Sequence, residues 1–500
     1  MTSPQGLPSF IFGKMRASEG GVGLGRRLVA AVLAGSTTWA AELPAARAAD
    51  SGGATPPGSV TLDDPAPSSG LGGRPRAVSG RIPPPPPGPT AGTRLPDRGF
   101  SAAPILVLER ADIEATGRVT LAEVLQRLPL AGNGLNVQFN NGGNGSARFD
   151  LRSLGPARNL ILLNGRRFVP GGDGADESVD LDAIPLAFVE RIEILTGGAS
   201  SIHGSGAIAG VVNVVTRRDV EGVEARVFTG LSERGDAATY QVDVTAGVRS
   251  EDGRGHLVLA AMIYDQQPVS AADRAFARAT RRFDFGAYRA AGAPEDEAPF
   301  LSPGGSSATP GGRVVDRLET PGNAAWDSSG CAGGACQNDP AQGWRPVEDP
   351  GDLYEFQPEN HLVTPSRRLG LMTQGRYAPS PALGFFFEGS LHRRASEQRL
   401  APTPLFTSSE GLRISRDNVF NPFGRDFVDL QRRLLELGPR RFRQESHTFR
   451  LLTGIEGELP PLGPLSGWQW SGHLSLGRTE TSNTAEGRVH RARLASSTWG

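Results

Sequence analysis

The residues best able to do chemistry lie between positions 173 and 206. Gly197–Gly206 is rich enough in glycine to cradle a phosphate with backbone amides. It lacks a closing Lys-Ser/Thr pair, however, and an apolar strand follows where a phosphate loop would open a helix. His203-Gly204-Ser205-Gly206 has the composition of an oxyanion loop, yet no Gly-x-Ser-x-Gly elbow supplies a nucleophile. Asp173, Asp176, Glu177, Asp180 and Asp182 could offer carboxylates to calcium, but they lack the spacing of a dedicated loop and read as a solvated acidic stretch. Cys331 and Cys336 are the only cysteines. A metal would need two further ligands close by, so a small disulfide loop is the better reading. No catalytic residue, cofactor or metal is expected, and the chain does not read as an enzyme.

The bulk composition agrees. Gly (66) and Pro (40) are abundant and only 38% of residues are hydrophobic. After the N-terminus no run of 18 apolar residues could form a membrane helix. A β-barrel stays possible, because its lipid-facing and lumen-facing residues alternate and average out. A net charge of −1 argues against a nucleic-acid partner. Residues 1–48 read as an export signal: Arg26 and Arg27, the apolar run Leu28–Ala34, then Ala46-Arg47-Ala48 as a cleavage site, with Met15 as an alternative start. Residues 49–100 are a Pro/Gly-rich linker, stiffened at Pro83–Pro87 and unable to bury a core.

Two structural regions follow. Across 101–218 the spacing predicts a small α+β domain. Ile105–Leu108 is a strand, and Thr120 to Glu123 is a capping box that opens a helix running towards Pro129. Leu160–Leu163 leads into an Asn164-Gly165 hairpin turn, and the strands Val189–Leu195 and Ile208–Val215 come later. From 222 to 500 the period changes to two. Tyr240, Val242 and Val248 alternate with Gln241, Asp243 and Arg249, Phe385 and Phe387 with Glu388 and Ser390, and Phe449 and Leu451 with Thr448 and Arg450. About eight such segments, each about ten residues long, suit tilted membrane strands. Their connections run short, long, short, long: Ser250–Arg254, Asp265–Pro365, Pro379–Leu383, Ala395–Glu445 and Pro460–Ser466, preceded by the modest Leu231–Ala237.

The segment Asn159–Arg167, with Leu151-Arg152-Ser153-Leu154-Gly155 before it, resembles the plug of TonB-dependent outer-membrane receptors. So does the run from Val179 through Val189-Glu190-Arg191-Ile192-Glu193-Ile194-Leu195 and on to Arg218. Arg152, Asn164, Gly165, Arg166, Gly197, Gly198, Gly204, Gly210 and Asn213 carry the signature. Asn418–Gly424 is similar to a loop motif of large members, where a small cysteine loop is also usual. His203 and Gly206 depart from the Tyr and Asp found there. The resemblance implies a plug followed by antiparallel transmembrane strands of a 22-stranded barrel, of which about eight are readable, so an open partial barrel is expected. The chain's last residues, Trp499-Gly500, read as lying within a strand.

The resemblance also implies uptake of a scarce solute (ferric siderophore, cobalamin, saccharide or peptide) across a Gram-negative outer membrane. Periplasmic TonB and its inner-membrane motor, membrane lipid and an external small solute would be the partners. A degenerate TonB box is read at Ala77, Val78, Ser79 and Gly80, within Arg76–Ile82, with Ser59–Asp63 as a second possibility. The alternative is a plugged barrel acting mainly in signalling or surface binding. Arg166 and Arg167 are expected either to pair with lumen carboxylates or to stay solvated.

Overall fold

The computed structural model describes residues 13–16 and 104–498, less 172–175, 295, 297, 316–334, 340, 349–350, 422, 425 and 460–467. The linker, the candidate TonB box, most of the export signal and Cys331 lie outside these residues.

The inner domain is built on a five-stranded sheet. Its strands are β1 (Ile105–Glu109), β2 (Asn159–Leu163), β3 (Arg166–Arg167), β4 (Val189–Leu195) and β5 (Gly210–Thr216), in the order β1-β4-β5-β2-β3. β2 and β5 are parallel and the other pairs antiparallel. Both faces are covered, so its central strands are buried on both sides, largely by apolar residues but with Arg191, Glu193 and Asn213 paired among themselves. On one face Ile161, Leu163, Ile192, Ile194, Val212 and Val214 pack with Ile113, Leu121 and Leu125 of the helices α1 (Arg110–Ala115) and α2 (Leu121–Gln126). On the other, Leu160, Leu162, Leu195 and Val211 meet Ala199 and Ala207.

Local signals set the ends. Thr120 caps α2 by accepting from the Glu123 amide at 3.3 Å, as the sequence predicts. α2 stops at Gln126, short of Pro129. α1 was not anticipated; it is opened by a capping box between Glu109 and Asp112. The Asn164-Gly165 turn is a two-residue hairpin with both residues at positive φ, 52° and 77°. That twist matches the strands it joins.

Around this domain curves a second sheet: β6 (Gly222–Gly230), β7 (Thr239–Arg249), β8 (Gly255–Gln266), β9 (Ser366–Ser380), β10 (Leu383–Leu400), β11 (Arg440–Glu458) and β12 (Gln469–Glu486). Gly13–Arg16, inside the stretch read as an export signal, pairs with β6 as an eighth strand. Neighbours pair antiparallel in chain order and β12 does not return to the first strand, so the sheet is open. The expected alternation holds: Leu369, Phe385, Phe387, Leu391, Phe449 and Leu451 are exposed on the outer face, while Arg368, Glu388, Ser390, His392 and Arg450 are buried on the inner one.

Three expectations need correction. β9 to β12 run for 15 to 19 residues, not ten. They continue past the apolar belt into stretches such as Arg393–Leu400, polar on both faces, where alternation of hydropathy gives no signal. The connection after β10 therefore shrinks to 401–439. Residues Arg491–Thr498, leading up to the expected terminal strand, form a helix, while Trp499-Gly500 themselves lie outside the described residues. The long connections are not simple loops either. Gly343–Pro346, Ala335–Asp339 and Arg313–Val315 from the first pair with Leu430–Arg433 and Pro404–Phe406 from the second in one five-stranded sheet. Within it Cys336 is buried and disulfide-bonded.

Candidate functional site

The chemistry of this molecule is concentrated where the inner domain meets β9, β10 and β11. Inward positions on these strands recur every second residue, so each strand presents a column of polar side chains to the domain. The domain answers with buried polar groups of its own.

At the level of the Asn164-Gly165 turn, the Asn164 Nδ2 donates to Glu388 Oε1 (2.9 Å) and to Thr216 Oγ1 (2.9 Å). Thr216 Oγ1 donates to Gln374 Oε1 at 2.5 Å, and Gln374 Nε2 donates to the Arg217 carbonyl, also at 2.5 Å. Glu388 is the hub: its other oxygen accepts from Arg450 Nη1 at 2.8 Å, and Arg166 approaches at 3.5 Å while lying 4.3 Å over the Phe386 ring. Arg166 therefore pairs with an inward-facing carboxylate. Arg167 turns the other way and donates to the His203 carbonyl at 2.6 Å.

Higher up, two carboxylates of the domain meet two arginines of the sheet. Arg394 Nε lies 3.0 Å from Asp180, and Arg368 forms an ion pair with Asp182; all four side chains are at most 7% exposed. Asp180 also accepts from the Ala147 amide and Asp182 from that of Ala122. Burial alone pushes both carboxyls up. At Asp180 the Arg394 guanidinium, with His392 and Arg368, outweighs burial and holds the pKa below its ordinary value. At Asp182 burial wins over Arg368, and that carboxyl is raised. The reading of a solvated acidic stretch is thus corrected for these two residues. Asp176 pairs with Arg148 at 2.5 Å, and Asp173 lies outside the described residues.

Nearest the long loops the contacts change to backbone. Asn140 Nδ2 donates to the Arg399 carbonyl (2.7 Å), Gln398 donates to the Gly143 carbonyl, and Arg394 to that of Asn144. Gly145 shows how close the two surfaces come: a Cβ there would sit 2.0 Å from Ser396 Oγ.

The remaining signature residues shape the domain itself. Arg152, at φ 57°, donates to the Ala209 carbonyl at 3.2 Å. Asn213 accepts from the Gly165 amide (2.8 Å) and donates to Glu193 (3.0 Å), which also pairs with Arg191. At Gly210 a Cβ would stand 2.2 Å from the Leu195 carbonyl, so only glycine fits. Gly204 has φ 89°, whereas a Cβ at Gly198 would meet only ordinary contact. Gly197 and Gly198 lead into α3 (Ser200–His203). The amides of Ala199, Ile202, His203 and Gly204 bond to carbonyls within this passage. The arginines Arg368, Arg394 and Arg450 went unrecognised in the sequence as partners of the domain. Their signal was a cation at an inward position of a strand whose other face is apolar.

Phe423, from the Asn418–Gly424 motif, packs edge-on against Trp344 (4.8 Å) and Phe427 (5.8 Å), fastening one long loop to the other.

Residues 99–211 match the family described as TonB-dependent Receptor Plug Domain. The chain is 33% identical over 158 residues to the vitamin B12 transporter BtuB of Vibrio cholerae serotype O1, covering 31% of this chain and 24% of that protein. Among solved structures it is similar to the ferric-catecholate import receptor Fiu of E. coli K12 (10% identity, TM-score 0.40, 78% of this chain and 51% of that one). It is also similar to the ferric enterobactin receptor PfeA of Pseudomonas aeruginosa (14%, TM-score 0.38, 75% and 46%). The chain thus spans about a quarter of the length of its curated relatives and about half that of these structures.

Proposed function

We propose, for a chain that belongs to the TonB-dependent receptors, that it takes a scarce solute across the outer membrane of a Gram-negative cell. The observation that carries this reading is the seam of ion pairs and hydrogen bonds between plug and sheet. A domain meant only to fill a barrel could be sealed in by apolar packing. Here the contact is polar, so water can enter any part of it that opens while the buried pairs elsewhere hold the plug in register.

Outer loops and the plug's Asn140–Asn144 corner capture the solute. A box ahead of the plug, at Ala77–Gly80 in our reading, adds as a strand to TonB, and backbone hydrogen bonds carry the pull. The plug then yields at its least stable contacts. The likeness to a vitamin B12 transporter supports cobalamin as the first solute to try, with ferric siderophores second. The test is uptake of radiolabelled cyanocobalamin and of ferric siderophores by cells carrying the receptor, with and without TonB. Uptake of one of them that disappears without TonB is expected; receptor-dependent uptake that is unchanged in the mutant overturns the reading.

A further inference from the structure

The plug is not held equally on all sides. Against β9, β10 and β11 it is fixed by the buried pairs Arg394–Asp180 and Arg368–Asp182 and by the Glu388 hub. Against β6 and β7 the contact is different in kind. There a cavity of about 270 Å³ lies between the two surfaces; its lining is mostly apolar (Ile113, Leu186, Ala187, Val227 and Phe228 among others), with Arg110, Glu114 and Arg118 on the plug side and Arg226, Gln241 and Asp243 on the sheet side supplying its polar groups.

The walls of this chamber carry polar atoms that find no protein partner among the described residues: Asp243 Oδ1, Gln241 Oε1, Arg110 Nη2 and Arg118 Nε. Asp243 and Gln241 are themselves 8% and 2% exposed. Buried groups of this kind are solvated by water, and the volume has room for several molecules with polar partners on both walls. Beside the chamber, Arg217 at the end of the plug holds Glu224 of β6 through two hydrogen bonds of 3.0 and 2.9 Å, and the bonds at the chamber itself are weaker. Gln241 Nε2 donates to the Val119 carbonyl at 3.2 Å, and Arg226 pairs with Glu114, both of them about a third exposed. Exposed pairs of this sort are weak, whereas buried ones resist separation. The plug wall of the chamber is α1, the turn after it and Leu186-Ala187; α1 directly follows β1, the first described strand of the plug.

We propose that this chamber is where plug and sheet first part, so that the solute passes between α1 and β6–β7, while the β9–β11 seam stays closed as the anchor. This rests on the import reading above. Asp243, Gln241, Arg110 and Arg118 would line the passage, giving it carboxylate, amide and guanidinium groups for a polar solute and its water.

Four receptors, each with one cysteine added to the native Cys331 and Cys336, test it: Val119→Cys and Gln241→Cys at the chamber, Ser146→Cys and Ser390→Cys at the anchor. They are labelled in outer membranes with a membrane-impermeant maleimide across a urea series, the parent receptor serving as background. The chamber positions are expected to react at a urea concentration about 1 M lower than the anchor positions. Simultaneous reaction, or earlier reaction at the anchor, overturns the proposal. Should Gln241→Cys fail to assemble, Val119→Cys reports the same wall. In living cells the chamber positions are then expected to label at least about fivefold faster with TonB than without it, and the anchor positions to stay unchanged. Faster labelling confined to the anchor removes the chamber but leaves import standing. Urea opening in the expected order, with no position responding to TonB, removes the import reading and this route with it.

Discussion

β4 and β10 are both well-formed strands, yet they obey opposite rules. Val189–Leu195 is buried on both faces: Val189, Ile192 and Ile194 sit in the apolar core, while on the other side Arg191 and Glu193 satisfy each other beside Leu195. Leu383–Leu400 exposes Phe385, Phe387 and Leu391 on one face and buries Glu388, His392 and Arg394 on the other. The difference shows that the two regions face different solvents. The plug is an ordinary globular domain with an oily centre. The sheet is inverted: its apolar face is exposed on the outside, where the proposed import role would set it against lipid, and its polar face looks inward to another protein surface.

That contrast is most severely tested at the inner face. Arg394→Ala leaves Asp180 buried without its cation, and breaking such a pair is expected to cost about 3–5 kcal/mol. The measurement is the urea concentration at which the plug becomes accessible to protease in the membrane, which should fall. Replacing both partners, Arg394→Met with Asp180→Leu, should recover most of the loss, since two apolar groups leave no stranded charge. A double variant as weak as the single one would mean that packing, not charge, holds this level of the seam.

The outer face comes next in size. Leu391→Arg puts a guanidinium in the apolar belt, beside Phe449 across the β10–β11 pair, and is expected to cost about 2–4 kcal/mol if the residue sits near the bilayer midplane. Heat-modifiable mobility of the membrane-inserted receptor reads this directly. Ser390→Leu, one residue away but facing inward, should leave membrane insertion unchanged and disturb only the plug. Equal insertion defects from both would erase the distinction between the faces.

The smallest effect lies beyond both regions, in the connection between β6 and β7. Asp236 accepts two hydrogen bonds from Arg274, each 2.7 Å, and these, with one from Ser232, lower its carboxyl to about 2. A depressed acid contributes stability that is complete above its ordinary pKa and disappears as pH falls through the depressed one. Order in this connection should therefore decline from about pH 4 towards pH 2, and Arg274→Met should remove that dependence. The pair is partly exposed, so less than about 1 kcal/mol is at stake. Hydrogen exchange of the loop amides at graded pH is the readout.

What the sequence revealed, and what it hid, follows from range. The bounds of Val189–Leu195, the cap at Thr120 and the Asn164-Gly165 turn are encoded by neighbours a few residues apart, and all were readable. Inner and outer faces were readable wherever one face was apolar. α1 was missed because six residues carry little periodicity and its cap is acidic. The upper reaches of β10 and β11 were missed because both faces there are polar. The pairing of Arg368 with Asp182 spans 186 residues, and no local pattern announces it. Asp182 looked like one more solvated acid in an acidic stretch; only the arrival of β9 makes it a buried ion.

The shared sheet of the two long loops has a consequence for how their sequences can change. Arg313–Val315 hydrogen-bonds to Leu430–Arg433, and Phe423 rests on Trp344, so neither loop has a shape of its own. An insertion or deletion in one shifts the register of the other. Change in either loop is therefore expected to come with change in the other, or to be confined to tips such as Val419-Phe420 that the common framework leaves exposed.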